Sequence, residues 1–135
     1  MAYILANNSP KNFHSENDLG SVISSLGVDS LAAITLGNSD FLDDLAAKGD
    51  KTLKEINDVE VPEGMLDVHV KAIKMAKYSV TLKQEINQKD VKSDPIGQIA
   101  SLSKVQGFLG VMSDFSQEIY SKMTEYDIKE IPIEL

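Results

Sequence analysis

The sequence predicts an all-α protein, a helical bundle built on a long antiparallel helical hairpin with shorter N-terminal helices packed against it. Three observations carry that prediction. Apolar residues recur at steps of three and four through residues 63–88 and 95–126, which places them on one side of a helix. The short polar turn "NQKDVKSDP" separates the two stretches, and long helices joined by a short connection fold back as antiparallel neighbours. The chain offers neither a convincing sheet nor a tandem repeat, and its 135 residues suit one domain with a single core.

Residues 1–17 read as a flexible or extended arm, a short apolar start followed by "NNSPKNFHSEN". Residues 18–126 form the single helical domain, with short helices over 18–58. In the first of these Leu19, Val22, Ile23 and Leu26 share a face, and Gly27 is expected to stop it. Asp29 or Ser30 caps a second, carrying Leu31, Ile34 and Thr35 and ended by Gly37. Ser39 or Asp40 caps a third through Phe41, Leu42 and Leu45. Gly49 is expected to interrupt it before "DKTLKEIND" adds another helical turn or two. "VEVPEG" is the linker to the hairpin, with Pro62 suited to a first helical turn.

The hairpin spans residues 63–126. Its first helix gathers Met65, Leu66, His69, Ala72, Ile73, Ala76, Val80 and Ile86 on an arc wide enough to touch more than one neighbour. Lys71, Lys74, Lys77, Thr81, Gln84 and Glu85 share the other side. Asp94 is a natural N-cap and Pro95 a natural first residue for the second helix. There Leu102, Val105, Leu109, Met112, Ser116, Ile119, Met123 and Tyr126 form a seam thickened by Phe108 and Phe115. The opposite side holds Ala100, Ser103, Gly107 and Gly110. An interior glycine costs about 1 kcal/mol relative to alanine, so two on one face predict close approach by another backbone, that of the N-terminal half. Residues 127–135 read as an extended tail, stiffened by Pro132.

Composition narrows the function. A net charge of −8 disfavours nucleic acid as a partner, since phosphate binding rests on clustered basic residues. Every basic side chain is lysine, so no guanidinium fork exists for bidentate recognition of carboxylates or phosphates. Without cysteine there is no disulfide, thiolate catalysis or thiolate metal site. No apolar run approaches a membrane span of about 20 residues, and "MAYILA" is too short and lacks the basic leader of a signal peptide.

His69 is the first candidate for chemistry, as metal ligand, general base or pH switch. Its nearest carboxylate, Asp67, lies on another helix face, and His14 lies in the arm. The expected role is structural, a half-buried imidazole between helices satisfied by one hydrogen bond. "DFLDDL" and "NDVEVPE" are acidic clusters without the alternating oxygen ligands of a calcium loop, so Asp43 and Asp44 are expected to face solvent. No serine elbow, phosphate loop or dinucleotide fingerprint is present. Neither catalytic residues nor a cofactor are expected.

Two resemblances add to this reading. "LGVDSLAAI", residues 26–34, resembles the signature of acyl and peptidyl carrier proteins, in which the serine of Asp-Ser-Leu receives a phosphopantetheine arm. The resemblance implies attachment at Ser30, with Asp29 and Leu31 completing the motif. It leaves most of the chain, including the hairpin, outside a carrier fold. A broader resemblance covers about two thirds of the chain. The Val61-Pro62 start, the His69 helix and the Asp94-Pro95 entry to a second long helix are similar to a helical domain of uncharacterised envelope proteins from small-genome, candidate-phyla bacteria. It implies an exported or membrane-tethered protein and brings no catalytic residues. An unprocessed Met1 start would instead imply the cytoplasm.

The expectation is therefore a non-catalytic extracytoplasmic module that binds another protein or serves envelope structure, with a homodimer among the options. The carrier at Ser30 is the alternative, and a small-ligand or lipid site between helices is the third. His69, Asp94, Pro95, Gly107 and Gly110 are the structural positions.

Overall fold

The structure, a computed structural model, describes residue 8 and residues 19–36, 40–86 and 94–128. Four α-helices follow one another among the described residues: α1 (Leu19–Leu36), α2 (Asp40–Asn57), α3 (Leu66–Glu85) and α4 (Pro95–Glu125). A short 3-10 turn, Glu63–Met65, leads into α3, and the Met65 N–H donates to the Pro62 carbonyl at 2.9 Å. The Asp94 carboxylate accepts from the Ile96 N–H at 3.0 Å, with Pro95 as the first helical residue, so α4 begins where its cap chemistry predicts. It ends in a double closure. Ile128 N–H donates to the Met123 carbonyl at 2.8 Å and Asp127 N–H to that of Thr124 at 3.4 Å. Asp127 takes the left-handed conformation this closure requires, at φ 51°.

The N-terminal half corrects the expectation of three short helices. Gly27 and Gly49 lie inside α1 and α2, each an unbroken helix of 18 residues. Both glycines are buried where another element comes close. A Cβ on Gly49 would stand 2.9 Å from the Ala76 carbonyl oxygen, 2.9 Å from Ser79 Cβ and 3.2 Å from Val80 Cγ2. On Gly27 it would meet Leu109 Cδ1 at 3.2 Å. The lost helix propensity, about 1 kcal/mol for each glycine, is offset by the packing it permits.

The cross-helix pairs fix the directions. Lys71, early in α3, bonds Glu118, late in α4, at 2.6 Å, and Glu85 at the end of α3 meets Lys104 at 3.0 Å. The hairpin of α3 and α4 is therefore antiparallel, as predicted. Asp43, early in α2, pairs with Lys83, late in α3, so these two are antiparallel as well. α1 packs against α4 and touches α2.

The core divides at the Gly49 crossing. On one side Leu42, Leu45, Leu82, Ile86, Val105 and Phe108 pack together, with Tyr78 tilted against Phe108 at 5.9 Å between ring centres. On the other side Ile56, Val68, Ala72, Phe115, Ile119 and Met123 pack together. Met75 touches both groups. Each fully buried Leu, Ile or Phe contributes about 1.5–3 kcal/mol, so the predicted seam of α4 supplies core to both. Tyr126, placed on that seam by its spacing, is exposed.

The small residues of α4 depart from expectation. Gly107 and Gly110 are exposed rather than covered by the N-terminal half. A Cβ on Gly110 would have nothing within 4 Å, and one on Gly107 would stand 2.5 Å from the Tyr78 hydroxyl oxygen of α3, which fills that place. Within residues 1–17 the structure describes Asn8, which is buried and donates from its amide to Glu55 Oε2 at 2.7 Å. The rest of the arm, Gly37, residues 87–93 of the polar turn and residues 129–135 of the tail lie outside the described residues.

Two stability measurements check this packing. Gly49→Ala should lower unfolding stability by about 1–3 kcal/mol in urea titrations, because the added methyl meets backbone and cannot move it cheaply. A gain in stability would mean that α2 and α3 do not touch there. Asp127→Gly should raise stability by about 1 kcal/mol through relief of the left-handed conformation; no change would argue against the double closure.

Candidate functional site

Charge is spread unevenly over the four helices. α2 carries eight charged residues and α3 six, whereas Asp29 is alone in α1 and Lys104 is alone in residues 95–113 of α4. Lys104 turns toward α3 to meet Glu85. The charges of α2 and α3 largely engage one another. Asp44–Lys48 at 3.2 Å and Asp50–Lys54 at 2.6 Å are pairs one helical turn apart, and Lys83–Asp43 crosses between helices. The Lys71–Glu118 bridge joins α3 to α4 from partly buried positions. Its hydrogen bond holds Glu118 below the usual carboxylate range and pushes Lys71 up. A carboxylate lowered in this way stabilises the fold above its ordinary range, and that contribution is lost only as pH falls through the lowered value.

Large apolar residues are exposed on α1, α3 and α4, Leu66 and Val70 being those of α3. Val28 and Leu31 on α1 are exposed, and on α4 Ile96 and Ile99 are exposed by 76% and 67%. Along α4 the exposed residues Ile96, Ile99, Ser103, Gly107 and Gly110 succeed one another at steps of three, four, four and three. That spacing keeps them on one face. Two branched apolar side chains thus stand at one end of a face and two glycines at the other, with no charge among the five.

The positions singled out from the sequence fall elsewhere. His69 is half-buried on α3, and its Nδ1 is sealed from solvent with no hydrogen-bond partner. The single satisfying hydrogen bond expected of it is not made at that nitrogen. Among the described residues no three His, Cys, Asp or Glu come together as a metal-holding group. His14 lies outside them. Asp43 and Asp44 are exposed, as expected, and each meets a lysine.

Ser30 is where the carrier resemblance meets the fold. That resemblance implies a hydroxyl at the start of a helix, open to a modifying enzyme. Ser30 is instead the twelfth residue of α1, fully buried, and its Oγ donates to the Leu26 carbonyl at 2.7 Å. Neither the helix start nor the access is present. Asp29 and Leu31 flank it at the surface edge without bringing it there.

Val28, Ile96 and Ile99 were not singled out from the sequence, and Leu31 was named there for a short helix and for the carrier-like motif and not as a surface residue. The signal available was the count of charges helix by helix, together with Ile96 and Ile99, which fall off the Leu102–Met123 seam. No helix among the described residues is long and apolar enough to cross a membrane. Comparison with family models finds no match, and comparison with curated proteins and with solved structures finds none either.

The burial of Ser30 has a direct check. Incubation of the folded protein with coenzyme A and a permissive phosphopantetheinyl transferase should leave its intact mass unchanged. A mass gain that disappears in Ser30→Ala would show that α1 opens at this residue.

Proposed function

We propose that the protein is a non-catalytic, extracytoplasmic helical module that works by contact with a protein partner, and that the contacting surface is the charge-poor outer side of α1 and α4. One observation carries the reading: Val28 and Leu31 are exposed on α1, where Asp29 is alone in charge, and Ile96 and Ile99 on residues 95–113 of α4, where Lys104 is alone, in a chain of net charge −8. Large apolar side chains gathered on an uncharged surface mark a place that another macromolecule covers. A helix face offering apolar side chains at steps of three and four suits recognition of a second helix.

The candidate reactive groups support a role without catalysis. Ser30 is enclosed, His69 belongs to no group of three His, Cys, Asp or Glu among the described residues, and Asp43 and Asp44 are engaged by lysines. The envelope location is supported by the resemblance carried by Val61-Pro62, His69 and Asp94-Pro95 to envelope proteins of candidate-phyla bacteria.

The test places a photo-crosslinking residue at Ile96, or at the exposed Lys77 on the outer face of α3, in intact cells of the source organism. Ile96 should yield a cross-linked protein band and Lys77 none. Protease added outside the cells should remove the full-length protein while a cytoplasmic control survives. Equal cross-linking from both positions would remove the assigned surface, and survival of the protein with the control would remove the envelope location.

A further inference from the structure

Asn8 is buried far in sequence from the residue that satisfies it. It is 5% exposed, and its side-chain amide donates to Glu55 Oε2 at 2.7 Å across 47 positions of the chain. Asparagine is mostly a surface residue, and one that is buried has its polar atoms paired. A carboxylate acceptor makes this bond stronger than one between neutral groups.

The bond occupies a particular place in the order of the helices. Residues 37–39 join α1 to α2, so Leu36 and Asp40 are their linked ends and Leu19 and Asn57 their open ends. Asn8 precedes the open end of α1 by eleven residues, and Glu55 lies two residues before the open end of α2. The bond therefore closes a loop that contains all of α1 and nearly all of α2. Eleven residues reach about 40 Å at full extension, well beyond the length of about 27 Å of an 18-residue helix. The chain is long enough to leave Asn8 elsewhere, so the bond is what holds it at α2.

We propose that Asn8 and Glu55 form a releasable latch that ties the N-terminal arm to the end of α2. The inference stands apart from the contact surface of α1 and α4 and does not depend on it. Two features permit release. The Glu55 side chain is 38% exposed, so water reaches the carboxylate once the amide leaves. Its other oxygen, Oε1, faces Lys51 Nζ one turn earlier at 3.7 Å, so the charge keeps a counter-ion in the open state. The Asn8 amide passes to water. Neither partner is then left buried and unpaired, which is the cost that would otherwise lock the arm in place. Opening the latch opens the loop that contains α1, and it removes the tether next to the apolar stretch of Tyr3, Ile4 and Leu5.

Limited trypsin digestion of the full chain, read by intact mass, tests the latch. Lys11 is the only trypsin site before Lys48. It lies three residues after Asn8, so a protease that extends the chain on both sides of the cut competes with the bond. Cleavage there follows the population of the open arm. The wild type should lose residues 1–11 slowly, yet well before any cut at Lys48, Lys51 or Lys54 in α2. Asn8→Ala and Glu55→Ala should each speed that loss by about tenfold or more, with helical circular dichroism unchanged. The double variant should be no faster than Asn8→Ala, because two substitutions that break one bond do not add. Glu55→Gln keeps an acceptor oxygen and should fall between the wild type and Glu55→Ala. A cut after Lys11 as fast in the wild type as in the variants, or additive effects of the two alanines, overturns the latch. A wild-type cut at Lys11 no faster than those in α2 would mean that the arm leaves only when the bundle unfolds, and overturns its release.

Discussion

A side chain at residue 49 would hold α2 and α3 apart, and most of the molecule depends on their not being apart. The backbone of α2 at Gly49 rests on Ala76 and Ser79 of α3, within a buried row that also includes Ala72. Small residues at a crossing bring helix axes together, and the larger side chains on either side can then interlock. That is the arrangement found. The Leu42–Leu82–Phe108 group fills one side of the crossing and the Ile56–Val68–Phe115 group the other. Interiors are packed as densely as organic crystals and tolerate little separation. A wider spacing at Gly49 would loosen both groups together, which makes this single crossing the constraint that links the two halves of the core.

The polar network serves that core from its edges. Lys71–Glu118, Lys104–Glu85 and Lys83–Asp43 each span two helices, and they pin α3 to α4 and α2. Exposed pairs contribute at most about 1 kcal/mol each, so their main effect is on register. The antiparallel pairing of Lys71 with Glu118 and of Glu85 with Lys104 fits one alignment of the hairpin and opposes a slip by a turn. α1 packs against α4 with Gly27 against Leu109 and with Leu26 buried nearby in sequence.

Periodicity made the hairpin legible in the sequence. Steps of three and four located α3 and α4 to within a few residues, and Asp94-Pro95 marked the start of α4 because a carboxylate cap and a proline without an N–H both belong at a helix N-terminus. The N-terminal half was misread for one physical reason. A glycine inside a helical pattern signals a break when only propensity is weighed, but Gly27 and Gly49 are retained by tertiary approach, which a single sequence does not display. The same reasoning sent the expected close approach to Gly107 and Gly110, where the neighbours turned out to be Tyr78 and open space. Ser30 was legible as a motif and not as a burial state, because nine residues around it do not reveal what packs above them. The apolar surface was the least legible part, since Ile96 and Ile99 look like core residues until the seam of α4 is known to point elsewhere.

The glycines finally separate what folding requires from what it does not. Gly27 and Gly49 have internal explanations: each is covered, and each would be crowded by a Cβ. Gly110 has none, since an alanine there would favour the helix by about 1 kcal/mol and meet nothing in the chain. The exposed Ile96 and Ile99 likewise contribute little to the monomer's core. In a sequence whose other choices agree with its fold, positions that break the local rules without an internal return are where function is to be sought. Those positions share one face of α4.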